Sequence, residues 1–292
     1  MSQRIILVVL DGLNHAVGHH AMGYLNALCE AGRATYHSLD CELPAMSRPL
    51  YECLLTGRRP VDSGVVHNEI VRRSREVSLF DLAVGQGRRT AAAAYHWVSE
   101  LYLEAPFDRT RHRFHQNEKS AIQAGLFYWR DHYPDDHLFS DAEMLRQLQD
   151  PDFLLVHSMN IDDAGHRHGA DSSQYRNAAR HADVALADYL PRWREAGYQI
   201  VVTADHGMNA DRSHSGTLPE ERHVPLWTLG EGFTNQRLDG LRQTQLCGTL
   251  ATLMGLKHTK AYHEALLAPE ILERPDVQTA HIAPYDHEGI EQ

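Results

Sequence analysis

Short runs of apolar and β-branched residues recur along this 292-residue chain and alternate with longer helical patterns. A continuous apolar run, without alternating polar residues, is typical of a strand that is covered on both faces in a parallel sheet. The alternation therefore predicts an α/β fold with a mainly parallel central sheet sandwiched between helices. The predicted strands are residues 5–10, 90–95, 153–157, 199–203 and 224–229, and the clearest helical stretches are 21–31 and 174–196.

The segment 96–141 breaks this rhythm. It is dense in Arg, His and aromatic residues and carries little strand pattern. We interpret it as an inserted cap or lobe over a core formed by residues 1–95 and 142–292, with an ordinary solvated connection as the alternative. Three of its arginines would favour an anionic ligand if they face a site, namely Arg109, Arg111 and Arg113. The polar tail 281–292 predicts a loosely held end.

Charge and composition limit the partners and the compartment. The formal net charge of -11 argues against non-specific binding to nucleic acid or to an anionic membrane, because no broad positive face meets the phosphate groups. The apolar run near the N-terminus is too short to span a bilayer and no small-residue cleavage site follows it, so we expect a cytoplasmic protein. The four cysteines lack CxxC spacing and predict buried thiols rather than disulfides.

Two stretches place a carboxylate and an imidazole where an apolar strand meets a loop. Asp162 and His166 are four residues apart, so one helical turn brings both side chains onto one face, whereas Asp205 and His206 are adjacent. Asp11 also follows a predicted strand, and the carboxyl ends of parallel strands share one edge of a sheet. Carboxylates and imidazoles without thiolates suit two divalent metal ions, Zn²⁺ in preference to Mn²⁺. Taken singly, each residue could instead be a cap, a turn residue or a surface histidine.

Ser47 has two possible roles. It precedes a short apolar helix that ends at Gly57, with Pro49 two residues further on, which predicts an N-cap. A hydroxyl at a helix N-terminus beside a divalent cation is also well placed to act as a nucleophile. The capping role is favoured for Ser47 alone, and the predicted metal ligands shift the preference to the nucleophile.

A series of short motifs follows in a fixed order along the chain. They are Asp11-Gly12, Pro44-x-x-Ser47-x-Pro49 leading into Leu55-Thr56-Gly57, Gly64-Val65-Val66-His67-Asn68, Asp162-x-x-x-His166-x-x-Gly169, Asp205-His206-Gly207 and finally His214. This ordered set resembles the alkaline phosphatase superfamily, and within it the type I phosphodiesterase/nucleotide pyrophosphatase branch. The ordered set is far more specific than any single motif.

The resemblance implies a division of the ligands between two ions and a covalent mechanism. We take His214 as the late histidine of the set, and His223, directly before the last predicted strand, is the alternative. Ser47 stands at the family's nucleophile position, which implies a phosphoseryl intermediate. One ion would be held by Asp162, His166 and His214, and the other by Asp11, Asp205, His206 and the Ser47 oxygen.

Asn68 and Arg48 are the candidate substrate contacts. The resemblance implies that Asn68 donates a neutral hydrogen bond to a phosphoryl oxygen, which suits a singly charged diester, although Asn is also a common turn residue. Arg48 stands where nucleotide-cleaving members of the branch often carry an aromatic residue. Its guanidinium could stack on a base or pair with a second phosphate or a carboxylate.

These residues predict a metal-dependent hydrolase that cleaves a small phosphodiester or pyrophosphate, with a small anionic phosphate-containing substrate as its partner. Two alternatives use the same metals: hydrolysis of a phosphonate, as in phosphonoacetate hydrolases, and hydrolysis or transfer of a phosphomonoester, as in the related mutases. A non-catalytic phosphate-binding module is disfavoured, because the nucleophile and every ligand position carry competent residues. The oligomeric state stays open, a homo-oligomer included.

Overall fold

The computed structural model describes residues 3–274, so the predicted loose tail 281–292 lies outside the described residues. The strands are β1 (Arg4–Leu10), β2 (Thr35–Asp40), β3 (Thr90–Tyr95), β4 (Phe114–Gln116), β5 (Ala124–Tyr128), β6 (Phe153–Ser158), β7 (Tyr198–Thr203), β8 (His223–Leu229) and β9 (Leu241–Arg242). The helices are α1 (His15–Ala21), α2 (Gly23–Glu30), α3 (Ser47–Thr56), α4 (Pro60–Ser63), α5 (Leu79–Val84), α6 (His96–Tyr102), α7 (Asp135–Gln149), α8 (Asn160–His168), α9 (Ser173–Glu195), α10 (Pro219–Arg222), α11 (Leu246–Leu253) and α12 (Pro269–Leu272).

The nine strands form one sheet in the order β4-β5-β3-β6-β1-β7-β8-β2-β9. The central strands β5, β3, β6, β1 and β7 are all parallel, whereas β8 and β4 run antiparallel to their neighbours. Every residue of β3, β6 and β7 is buried, which explains why these strands read as continuous apolar runs. The predicted α/β class with a mainly parallel sheet is confirmed.

Two groups of helices flank the sheet. The long helix α9 packs against α1, α2, α7, α8 and β7, and α11 packs against α3 and α5. Helix α3 is buried along its whole length and ends at Gly57, whose φ of 73° lies in the left-handed region that glycine adopts without strain. This burial fixes the direction of α3 and therefore the position of its first residue, Ser47.

The segment 96–141 contributes strands to the sheet. β5 pairs in parallel with β3, and β4 pairs antiparallel with β5. The segment therefore contains two strands that its sequence pattern did not indicate. The signal was weak because β4 has only three residues and β5 begins Ala124-Gly125, and small residues carry little strand propensity. The division into a core (1–95 and 142–292) and a cap (96–141) stays a prediction.

Two further predictions concern the cysteines and the cellular compartment. All four cysteines are free; Cys41, Cys53 and Cys247 are buried, and Cys29 is partly exposed. Within residues 3–274, no helix combines the length and the apolar character needed to cross a membrane. The cytoplasmic location stays a prediction.

Candidate metal centre

The loops that leave three neighbouring strands bring three carboxylates together. Asp11 directly follows β1, and its backbone N–H donates to Ser158 O at the end of β6 (2.9 Å). Asp205 lies two residues after the end of β7, and Asp162 lies in the first turn of α8, which begins just after β6. Because β1 is paired with both β6 and β7, these ends meet at one edge of the sheet. All three carboxylates are buried.

One group of ligand atoms consists of Asp11, Asp205 and His206, whose atoms all lie within 4.8 Å of one another. We call it the inner group. His206 Nε2 lies 3.3 Å from Asp205 Oδ2 and 3.5 Å from Asp11 Oδ1. Ser47 Oγ lies 3.0 Å from the same nitrogen, so the first residue of α3 adjoins the inner group.

The structure does not support the capping role of Ser47. Met46 occupies the N-cap position of α3, and no side chain caps the helix there. The Ser47 hydroxyl is directed to His206 instead. It thus stays available for chemistry, at a helix N-terminus where the aligned peptide dipoles favour developing negative charge.

A second set of predicted ligands lies beside the first. His166 Nε2 lies 3.5 Å from Asp162 Oδ2 and 3.1 Å from His214 Nε2. We call Asp162, His166 and His214 the outer group. The rings of His206 and His214 stack with their centroids 3.8 Å apart, and the ligand atoms of Asp162, His206 and His214 lie within 4.8 Å of one another. His206 therefore lies between the two groups.

The alternative late ligand, His223, is placed elsewhere. It is the first residue of β8, and its Nδ1 lies 2.6 Å from Asp40 Oδ1 at the end of the paired strand β2. Half of its side chain is exposed, and it belongs to neither ligand group. The structure brings His214, and not His223, to the predicted ligands.

Three histidines direct the same ring nitrogen towards the ligand groups. The Nδ1 atom of each lies against a backbone carbonyl, which can only accept a hydrogen bond, so Nδ1 carries the proton. The Nε2 lone pair is then free, as metal ligation requires. The carbonyls are Arg212 O for His166 (3.0 Å), Gly207 O for His206 (2.8 Å) and Ala45 O for His214 (2.6 Å).

The carboxylates carry unsatisfied oxygens. Asp11 Oδ1, Asp162 Oδ1 and Asp205 Oδ2 are buried without a hydrogen-bond partner. Burial and the repulsion of the neighbouring aspartates raise the pKa of Asp11 and of Asp162, and burial raises the pKa of Asp205 to about 6. Burial also lowers the pKa of His206 and of His214 to about 3, which keeps both rings neutral. Unpaired buried oxygens facing neutral imidazoles fit divalent cations such as Zn²⁺ or Mn²⁺.

Two side chains that the sequence analysis missed hold Asp11. Tyr51, one helical turn after Ser47 on α3, donates a hydrogen bond from its hydroxyl to Asp11 Oδ2. His157 Nε2 lies 3.3 Å from the same oxygen, and its ring meets the Tyr51 ring edge-on at 4.4 Å. A polar residue in the otherwise apolar β6 and the i, i+4 spacing from Ser47 were the available signals. Such contacts orient a ligand carboxylate and tune its affinity for a metal.

Gly12 allows the inner and outer groups to approach each other. Its φ of 75° is left-handed, and a Cβ there would lie 2.8 Å from Asp162 Cα. No side chain fits between the loop after β1 and the start of α8. The glycine of the Asp11-Gly12 motif is therefore required by the backbone.

Asn68 and Arg48 lie against each other. Arg48 N donates to Asn68 Oδ1 (3.0 Å), which leaves the Asn68 amide NH₂ on the other side. The Arg48 side chain is buried; its Nη2 pairs with Glu100 Oε2 (2.7 Å), and its guanidinium lies 4.7 Å from the centre of the Trp97 ring. Because Glu100 already neutralises this charge, the burial argues against the predicted contact of Arg48 with a substrate anion.

The three arginines of segment 96–141 each contact a neighbour from the same segment. Arg109 lies over the Trp129 ring, 5.8 Å from its centre. Arg111 pairs with Glu104 at 3.4 Å and Arg113 with Asp141 at 3.6 Å. These contacts supply no sign that the arginines face the ligand groups.

Comparisons with known proteins agree with this arrangement. A family model described as type I phosphodiesterase / nucleotide pyrophosphatase matches residues 5–216. The chain is 23% identical over 289 residues to the human GPI ethanolamine phosphate transferase 2, catalytic subunit, covering 93% of this chain and 28% of that protein. It is 24% identical over 259 residues to the Saccharomyces cerevisiae GPI ethanolamine phosphate transferase 1, covering 80% of this chain and 27% of that protein. The chain thus spans little more than a quarter of the length of these relatives.

Solved structures show the same fold at low identity. Murine ectonucleotide pyrophosphatase / phosphodiesterase 5 superposes with a TM-score of 0.73 at 12% identity, covering 91% of this chain and 100% of that chain. The human protein of the same name gives a TM-score of 0.71 at 12% identity. The architecture is therefore shared where the sequences have diverged widely.

Proposed function

Because this chain belongs to the type I phosphodiesterase/nucleotide pyrophosphatase family of phosphoester-handling enzymes, we propose that it is a two-metal hydrolase of a small phosphodiester or pyrophosphate. The observation that carries the proposal is the position of Ser47 Oγ, 3.0 Å from His206 Nε2 of the inner group, in which Asp11 and Asp205 each carry a buried oxygen without a hydrogen-bond partner. A nucleophilic hydroxyl beside converging carboxylate oxygens and imidazole nitrogens is what phosphoryl transfer at a dimetal site requires.

In this proposal the ligand residues are divided between two metal ions. Asp11, Asp205, His206 and Ser47 would hold one ion, and the outer group would hold the other. When bound, such ions neutralise the phosphoryl oxygens and lower the pKa of the nucleophile. The ring nitrogens need no reorientation for this role, because the backbone carbonyls already fix them.

Ser47 carries the covalent step. Its Oγ forms a bond to phosphorus while the bond from phosphorus to the leaving oxygen breaks, which gives a phosphoseryl group. Water then forms a bond to phosphorus while the bond from phosphorus to Ser47 Oγ breaks, and a proton from that water restores the Ser47 hydroxyl. Asn68 supports the reaction as a neutral donor, because its Oδ1 is engaged by Arg48 N and its NH₂ group can donate to a phosphoryl oxygen.

A metal-supplemented assay tests the proposal on three substrates: bis-p-nitrophenyl phosphate, p-nitrophenyl phosphate and phosphonoacetate. We expect the diester to be preferred, and Ser47→Ala to lower its turnover by about 10³-fold or more. Ser173→Ala, at an exposed position of α9, is the matched control and should retain turnover. Preference for the monoester or the phosphonate would contradict the diesterase assignment, and full activity of Ser47→Ala would contradict the covalent mechanism.

The relatives favour a second candidate, transfer of ethanolamine phosphate. The human relative with that name matches 93% of this chain. In this reaction an alcohol, instead of water, would take the phosphoryl group from Ser47. Adding an acceptor alcohol to the assay and analysing the products separates the two: a new diester indicates transfer, and an unchanged yield of the hydrolysis product indicates hydrolysis.

A further inference from the structure

Arg48 follows Ser47 on α3 and is one of the largest side chains that the fold buries completely. Its guanidinium forms an ion pair with Glu100 of α6, and only 2% and 5% of the two side chains are exposed. Transfer of two charges from water into the interior costs about as much as their attraction returns, so such a pair adds little net stability. A role beyond stability is indicated by the other contacts of the guanidinium.

Arg48 binds Asn68 at two points. Its Nε donates to Asn68 O (2.7 Å), and its backbone N donates to Asn68 Oδ1 (3.0 Å). Because a backbone N–H can only donate, Oδ1 is the amide atom on this side and the NH₂ group is on the other. In the part of the chain that the structure describes, that NH₂ group has no hydrogen-bond partner. It is therefore available to a ligand beside the first turn of α3.

The segment around Asn68 has no regular secondary structure to hold it. Asn68 lies between α4 and α5, in a stretch without helix or strand. Its neighbours His67 and Glu69 are exposed, whereas Asn68 itself is partly buried. The bond from Arg48 Nε reaches the main chain at this position, and the bond from Arg48 N reaches the side chain. Arg48 therefore fixes both parts of Asn68 in a segment that its own local structure does not fix.

Helix α6, in segment 96–141, holds Arg48 in turn. Glu100 Oε2 accepts from Arg48 Nη2 (2.7 Å), and Glu100 Oε1 accepts from Phe107 N (2.8 Å), so both oxygens of this carboxylate are engaged. Trp97 lies three residues before Glu100, on the same face of α6, and the centre of its ring is 4.7 Å from the guanidinium. The ion pair and the ring together fix the plane of the guanidinium and hence the direction of Nε. A chain of contacts thus runs from α6 through Arg48 to Asn68.

We propose that Arg48, paired with Glu100, is a positioning residue that fixes Asn68 so that the amide NH₂ group faces the phosphoryl group at Ser47. This inference rests on the proposed function. The neutral amide, and not the arginine charge, meets the phosphoryl oxygens, because Arg48 is buried and paired. A donor that is already in place stabilises the charge of the transition state without reorganising during the reaction. Segment 96–141 thereby supports the reaction through Arg48.

A double-mutant cycle on kcat/KM for bis-p-nitrophenyl phosphate tests this role. The pair variant combines Arg48→Met with Glu100→Gln, so that no unpaired charge stays buried. With Asn68 present, the pair variant should lower kcat/KM by about tenfold, because a misplaced donor loses part of its effect. Asn68→Ala alone should lower kcat/KM by about 100-fold. Added to Asn68→Ala, the pair variant should cause a further loss of less than about twofold, because no amide is left to position.

Arg58→Met combined with Glu76→Gln is the matched control. The Arg58–Glu76 pair has the same two side-chain types, 3.0 Å apart, and its members flank the stretch that carries Asn68, but the Arg58 side chain is 59% exposed. Because exposed ion pairs contribute little, the control should keep kcat/KM within about twofold of the unaltered protein. Metal content should be unchanged in every variant of the cycle, since none of the altered side chains belongs to either ligand group.

Arg48→Lys repeats the cycle with a milder change, because it keeps the charge opposite Glu100 but lacks the Nε–H that Asn68 O accepts. Its loss of kcat/KM should also disappear in Asn68→Ala. An equal loss from the Arg48 variants with and without Asn68 would overturn the inference, since Arg48 would then act on the structure in general. Full activity of the pair variant, or of Asn68→Ala, would overturn it as well.

The two proposals can fail separately. Absence of diester cleavage by the unaltered protein, or full activity of Ser47→Ala, would contradict the proposed function itself. Equal losses in the two backgrounds of the cycle would leave that function intact and remove only the positioning role of Arg48.

Discussion

The inner and outer ligand groups sit side by side but are held very differently. Every member of the inner group is buried, and Asp11 is fixed by both Tyr51 and His157. In the outer group the side chain of His166 is 46% exposed, and its Nδ1 depends on a carbonyl of an irregular loop. The comparison teaches that the inner group is built wholly into the core, whereas the outer group opens to solvent at one ligand, His166. We expect the inner group to retain its ion and the outer group to exchange it.

The largest effect should separate the two groups directly. Asp11→Asn removes a charged ligand from the buried half, and we expect kcat/KM to fall by about 10³-fold or more, with loss of one bound metal equivalent. His166→Ala should lower kcat/KM by about 10- to 100-fold, and excess metal should restore part of the activity. Kinetics and metal content, measured on both variants, show whether the inner group binds its ion more tightly than the outer group. Equal losses that excess metal does not relieve would remove the distinction.

Gly12→Ala tests the contact between the groups. A Cβ there meets Asp162 Cα at 2.8 Å in a left-handed backbone, whereas Gly32, with φ of 66°, has nothing within 4 Å. Gly32→Ala should cost about 1 kcal/mol of unfolding free energy from strain alone, and Gly12→Ala about 1–3 kcal/mol more. Chemical denaturation of the two variants gives the difference. Equal destabilisation would show that the clash with Asp162 is relieved at no cost.

Tyr51→Phe tests whether the hydrogen bond from the Tyr51 hydroxyl to Asp11 strengthens metal binding by the inner group. We expect the metal affinity of the inner group to fall by about 10- to 100-fold and that of the outer group to change little, because only Asp11 loses a partner. Titration with Zn²⁺ under competition by a chelator measures both affinities. Tyr189→Phe serves as the control, because the ring of Tyr189 on α9 packs against Phe139 and Trp193 and contacts no predicted ligand. A parallel loss in both groups would contradict the local role of Tyr51.

The smallest expected effect concerns pH. The pKa of Asp205 is raised to about 6 and that of Asp11 is also raised, so protons compete for these oxygens as the pH falls through 6. His206 and His214 do not compete, because burial lowers the pKa of each ring to about 3. Zn²⁺ affinity of the inner group should therefore fall by about tenfold between pH 7 and pH 5. Calorimetric titrations at pH 5, 6 and 7 measure this, and a pH-independent affinity would contradict it.

The strands could be predicted from the sequence where both of their faces are covered. β1, β3, β6 and β7 appear as apolar runs because every position except Arg4, the first residue of β1, is buried. β2 was missed because its residues, Thr-Tyr-His-Ser-Leu-Asp, include polar side chains that find partners only in the folded sheet. His37 of β2, for example, lies 3.1 Å from Thr228 Oγ1. A single-sequence pattern cannot reveal such a partner.

For the candidate metal centre, too, local spacing in the sequence was informative and contacts between distant residues were not. The predicted ligands were found because their spacing and their position after strands reflect local geometry, and their roles stay predictions. Tyr51 and His157 lack a motif, because the contact of Tyr51 with Asp11 requires α3 to pack at the sheet edge and that of His157 requires β6 to pair with β1. Arg48 was interpreted as a substrate contact for the same reason: its partner, Glu100, lies 52 residues further along the chain.

The three histidines are aligned by peptide carbonyls and not by acidic side chains. Any amino acid supplies a carbonyl, so the residues at Ala45 and Arg212 can be replaced during evolution without disturbing the rings that depend on them. Loops around the ligands are thereby free to change their side chains while the ligand geometry is inherited through the backbone. Such tolerance is compatible with a fold that is shared at 12% identity, and it identifies the loops as the place where new specificities can arise at low risk.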